Sequence, residues 1–137
     1  MAGMKNLSLP LLFLVSMACA PGVQTLAYSP RPERVHAPKE ELKSLILSNT
    51  VQGCVAEPTI SDTTMVVQFV CSGLSANAGN VVLRFDRIAS IDLQQQGDWY
   101  RVRVHHTSGI EDFVWDSKSP DDAKHIDDAI TALRKGG

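Results

Sequence analysis

Apolar and polar residues alternate with a period of two over much of the region from Gln52 to Trp115, the spacing of half-buried strands. Gln52–Ile60 and Thr64–Ser72 form two such runs, separated by Ser61-Asp62-Thr63. After a predicted turn over Ser72–Asn80, Val81, Leu83 and Phe85 alternate with Val82 and Arg84. Ile88, Ile91 and Leu93 continue a fourth run, which ends in Gln94-Gln95-Gln96-Gly97. Tyr100, Val102 and Val104 alternate with Arg101, Arg103 and His105, and Ile110–Trp115 closes the series, with Phe113 and Trp115 on one face. Two stretches switch to helical spacing. Lys39–Ser48 places Leu42, Leu45 and Ile46 on one face behind Pro38, which suits a helix start. At the C-terminal end Ser119 can N-cap, Pro120 sits at the first helical position, and Asp121 and Asp122 put negative charge in the first turn. Ala123, Ile126, Ile130 and Leu133 make the stripe, and Gly136 stops it.

The first two strands fit one hairpin register. A loop at Asp62-Thr63 sets Ile60 opposite Met65, Ala56 opposite Phe69 and Cys54 opposite Cys71. Asp-Thr is a weaker turn pair than Asn-Gly, and a longer loop keeps the same register. One face of the hairpin is largely apolar, whereas the other mixes Glu57, Thr59, Thr64 and Gln68 with Val55, Val66 and Val70. A Cys54–Cys71 bridge contributes on the order of 3 kcal/mol by restricting the unfolded chain.

The chain opens on Lys5, an apolar stretch Leu7–Met17 and then small residues, the order of a secretory signal peptide. The apolar run of about 11 residues falls short of the roughly 20 that span a bilayer core. Val15-Ser16-Met17-Ala18-Cys19 resembles the lipobox of bacterial lipoproteins, although Ser16 and Met17 depart from its usual residues. The resemblance implies a diacylglycerol thioether on Cys19, which becomes the new N-terminus. Ordinary cleavage after Ser16-Met17-Ala18 is the alternative. A third cysteine left over from the hairpin pair favours lipidation, since thiols in an exporting compartment tend to be paired or occupied. Ala20 after the cysteine, in place of Asp, implies by the same resemblance an outer-membrane lipoprotein facing the periplasm; a soluble periplasmic or secreted protein is the alternative. The predicted organisation is a signal peptide over 1–18, a tether over 19–38 whose Pro21, Pro30, Pro32 and Pro38 oppose regular structure, and one globular domain over 39–137.

The net charge is −2, with no basic cluster, which argues against a nucleic-acid partner. His105, His106 and His125 show no metal-ligand spacing and are expected to be solvated. Asp121 and Asp122 are accounted for by capping, and Asp127 and Asp128 are expected on the solvated side of the last helix. No serine has a nucleophile context. No cofactor, metal or catalytic residue is expected, and the chain reads as a non-enzyme. Trp99 and Tyr100 at a hairpin tip, with Arg101 and Arg103 beyond, are the candidate binding surface, aromatics being enriched at binding hot spots. Arg84, Arg101 and Arg103 are expected to form an outward stripe partnered by Glu111 and Asp112.

Antiparallel strands followed by one helix give an α+β class. Phe85-Asp86-Arg87-Ile88-Ala89-Ser90-Ile91, the Tyr100–Val104 strand, a glycine turn, Phe113 and a helix reading D-A-K-x-I-x-D-A-I-x-x-L resemble bacterial pleckstrin-homology-like (PH-like) domains. That resemblance implies a bent six- to seven-stranded sheet or partly open barrel capped by the C-terminal helix, here with an extra short N-terminal helix. Cys54–Cys71 holds no Lys or Arg, so the phosphoinositide binding of some PH-like members is not expected. The expected role is a non-enzymatic interaction or scaffolding domain anchored in the envelope, bound to a protein or peptide and touching membrane only through its lipid. The alternative is a small-ligand or lipid-binding protein using the barrel mouth; a filled core with an exposed aromatic patch favours the first, and a large apolar cavity the second.

Overall fold

The computed structural model describes residues 22–73 and 77–136. The signal segment and Cys19 lie outside the described residues. The strands are β1 (Gln24–Leu26), β2 (Cys54–Ile60), β3 (Thr64–Cys71), β4 (Asn77–Arg84), β5 (Ile88–Gln96), β6 (Trp99–His106) and β7 (Phe113–Ser117). The helices are α1 (Pro38–Ser48) and α2 (Pro120–Gly136). The class is α+β. The strands form two antiparallel sheets, one of order β1-β5-β6-β7 and one of order β2-β3-β4. The sheet pairings do not close into a barrel.

The β2–β3 hairpin has the predicted register: Cys54 pairs with Cys71, Ala56 with Phe69 and Ile60 with Met65. A disulfide joins Cys54 and Cys71. Ser61 closes the turn, its amide donating to the Thr64 carbonyl at 2.8 Å and its hydroxyl accepting from the Thr64 amide at 3.1 Å. Pro58 is tolerated because β2 is an edge strand with one side of its backbone unpaired.

Two stretches are more ordered than their sequence suggests. Gln24–Leu26, within the predicted tether, pairs with Gln95–Leu93 and gives β5 a neighbour on its outer side. Tyr28 and Val35 then pack against the core, so this segment is a strap laid on the domain. Strand β4 begins at Asn77, inside the predicted turn. Gly79 suits that place for lack of a side chain: a Cβ there would lie 3.2 Å from Cζ of Phe69, the residue it pairs with. The last strand starts at Phe113 rather than Ile110.

Both sheets turn one face inward. Met65, Val67, Leu83, Val102, Val104 and Phe113 are fully buried, together with Leu42 and Ile46 of α1 and Ala123, Ile126 and Ile130 of α2. Phe113 and Trp115 stack side by side, with ring planes 7° apart and centroids 6.3 Å apart. Helix α2 starts as predicted: the Ser119 hydroxyl accepts from the Asp122 amide at 3.1 Å. Helix α1 is capped from within. Glu41 reaches back to accept the amides of Ala37 at 2.6 Å and His36 at 2.9 Å, in the manner of a capping box. Those amide contacts, with His125 beside it, hold the Glu41 carboxyl below the usual carboxylate range.

Candidate interaction surfaces

The residues predicted for a binding surface separate in the structure. Trp99 is exposed at the β5–β6 tip. Tyr100 turns the other way, packs against the core and accepts a hydrogen bond from Gln95 Nε2 at 3.3 Å. Arg101 is held by Asp116 through two contacts, Nε–Oδ1 at 2.8 Å and Nη2–Oδ2 at 3.0 Å. This carboxylate raises the Arg101 guanidinium above its ordinary value. Arg103 Nη1 reaches Asp112 Oδ2 at 3.5 Å, and Arg84 pairs with Asp86. Of the predicted acidic partners, then, Asp112 serves Arg103, while Glu111 contributes only its carbonyl, to His106.

Two expectations about polar residues are corrected. His106 is buried, not solvated. It continues the inward parity of Val102 and Val104, and β6 carries it under the β4 end, where its Nε2 accepts the Arg84 amide at 3.0 Å. Its Nδ1 lies 2.7 Å from the Glu111 carbonyl and must carry the proton to donate there. Likewise Asp127 and Asp128 are buried, because the strap covers a flank of α2 that would otherwise be its polar side. Asp128 Oδ1 accepts both the Tyr28 hydroxyl and the Arg31 amide at 2.7 Å, fastening the strap. Burial and this carboxylate push the Tyr28 phenol up to about 12. Asp127 has the Thr131 hydroxyl at 3.3 Å, and burial pushes its carboxyl up to about 7.

His105 and His125 are paired with carboxylates. His125 Nε2 lies 2.8 Å from Glu41 Oε1, joining the two helices. His105 sits between two carboxylates, Nε2 at 2.8 Å from Asp92 and Nδ1 at 3.0 Å from Asp112. Among the described residues, no group of three or more His, Cys, Asp or Glu is placed to hold a metal ion, and no helix is long and apolar enough to cross a membrane.

The surface that distinguishes this chain is the outer face of the three-stranded sheet. Register sets Val55 opposite Val70, Val70 opposite Ala78, and Val66 opposite Val82 on one face. Val55 is 74 % exposed, Val70 61 % and Val82 41 %. The sequence carried a signal for it, since Val55, Val66 and Val70 share the parity of Glu57 and Gln68. A separate open hollow of about 360 Å³ lies at one end of the four-stranded sheet, between Val23, Val51 and Trp99, with the Arg101–Asp116 pair at its side. No protein-family model, curated protein or solved structure matches the chain.

Proposed function

We propose that the chain is a non-enzymatic interaction domain held in the bacterial envelope by a lipid on Cys19, and that it works by binding a protein through the outer face of the three-stranded sheet. The exposed valines carry this reading. Branched side chains in neighbouring rows across three strands form the kind of surface that packs against another sheet. Exposed apolar groupings of this sort on a soluble domain mark contact sites. The outer face carries Glu57 on β2 and, at the end of β4, Arg84 paired with Asp86, so it offers no basic cluster for an anionic lipid surface and suits a protein better. The largest buried side chains pack into one apolar cluster, and the hollow of about 290 Å³ beside Phe69, Val81 and Trp115 is open rather than enclosed, which supports a surface partner over a ligand held inside the domain. The relation to PH-like domains belongs to the same proposal: a three-strand meander, a second meander and a C-terminal helix follow one another in that order.

The test is a Val55→Lys, Val70→Lys double variant in the native envelope, compared with wild type by size under mild detergent. The reading expects the wild-type chain to run in a larger assembly and the variant to leave it while keeping its melting temperature. An assembly unchanged by the two lysines contradicts it. A wild-type assembly made only of this chain identifies the partner as a second copy.

A further inference from the structure

We propose that the hollow formed by Val23, Val51 and Trp99 lies against the bilayer surface, so that the domain is docked on its membrane rather than suspended from it; this rests on the lipid anchor at Cys19. The first support is the length of chain available. Strand β1 begins at Gln24 and is paired with β5. Val23 is only four positions beyond Cys19, a reach of about 14 Å at full extension. The strap cannot lengthen this leash without breaking the β1–β5 pairing and the two hydrogen bonds to Asp128. An anchored Cys19 therefore keeps Val23 close to the headgroups, and Val23 is itself a wall of the hollow.

The second support is the chemistry of that wall. Trp99 is 39 % exposed, and Val23 and Val51 more so. Lys118 Nζ stands 5.0 Å from the centre of the Trp99 ring. An exposed indole with small apolar neighbours and a lysine whose ammonium can reach outward is the combination found at the membrane–water boundary, where the ring lies at headgroup level. The nearby Arg101 is paired with Asp116, and Gln94 and Gln96 are uncharged; the exposed Asp98 beside Trp99 adds one negative charge, with Lys118 close to the same ring. The valine face belongs to the other sheet, so docking through Trp99 does not use the surface assigned to the protein partner.

The test uses the full chain, purified with its lipid and reconstituted into phosphatidylethanolamine–phosphatidylglycerol vesicles with brominated acyl chains. The chain has two tryptophans, so Trp115→Phe leaves Trp99 as the reporter, and Trp99→Phe leaves Trp115. Docking predicts that Trp99 emission shifts to the blue and loses most of its intensity, while Trp115 emission keeps its intensity. Subtracting the Trp99→Phe spectrum from wild type gives the same readout should Trp115→Phe fold poorly. Labelling by a fatty-acid probe, lost in Cys19→Ala, reports the anchor independently. A chain that is labelled but whose Trp99 is unquenched overturns the docking and leaves the anchor standing. A chain that is not labelled overturns the anchor and the docking with it.

Discussion

On the outward face of the four-stranded sheet, Arg101 meets Asp116, Arg103 meets Asp112, and His105 lies between Asp92 and Asp112. On the outward face of the three-stranded sheet, Val55 meets Val70 and Val66 meets Val82. Both sheets bury the same kind of inner face, so the needs of the core do not explain the contrast. A face of ion pairs is finished in water, each charge having a neighbour of opposite sign. A face of valines is unfinished, and covering it removes apolar area from water at about 25 cal/mol per Å². The disulfide is on the unfinished sheet. It fixes the hairpin register, and a register slip by one residue would turn the valines inward.

The largest expected effect concerns the helix packed on the four-stranded sheet. Asp127 has its folded-state carboxyl raised to about 7 from 3.8, so the fold favours its protonated form. That contribution is complete below about pH 4 and is lost as the pH rises toward 7 and beyond, a cost on the order of 4 kcal/mol in the ionised state. Asp127→Asn should therefore gain stability over wild type at pH 8 and little at pH 4, as read by urea unfolding at both. An equal effect at the two pH values would show that burial there is not what raises the carboxyl.

Replacing Cys54 and Cys71 together by alanine should cost about 3 kcal/mol, measured as a lower unfolding midpoint, with hydrogen exchange rising first in β2 and β3. If β5 and β6 loosened equally, the two sheets would not differ in what secures them. The smallest effects should come from the outward faces. Asp116→Ala should cost no more than about 1 kcal/mol, because the pair is only half-buried and water still reaches both side chains. Val55→Thr with Val70→Thr should change stability within about 0.5 kcal/mol in the isolated chain. A large loss from the valine pair would make those side chains structural rather than a contact surface.

Much of this contrast can be read from sequence where parity is regular. The β2–β3 register follows from the spacing of Cys54, Ile60, Met65 and Cys71, because only one pairing places apolar residues on one side and joins the sulfurs. The α2 stripe and its Ser119 cap are equally local. Other features depend on what packs from afar. Gln24–Leu26 sits among prolines and gains strand structure from β5. Gly79 weakens the signal of β4, and only the Phe69 ring gives it a reason. Asp127 and Asp128 look like a polar helix face until the strap covers them. His106 was within reach of the pattern: Tyr100, Val102 and Val104 point inward, and the next residue of that parity is His106.

Site-specific crosslinking tests the working surface most directly. A photoreactive residue is placed at Val70 on the valine face and, in a second chain, at Val114 on the outer face of the other sheet, each in the native envelope. The account predicts a discrete protein adduct from position 70, abolished by Val55→Lys, and none from position 114. Adducts of equal yield from both positions, or an adduct from position 70 that survives Val55→Lys, would contradict it.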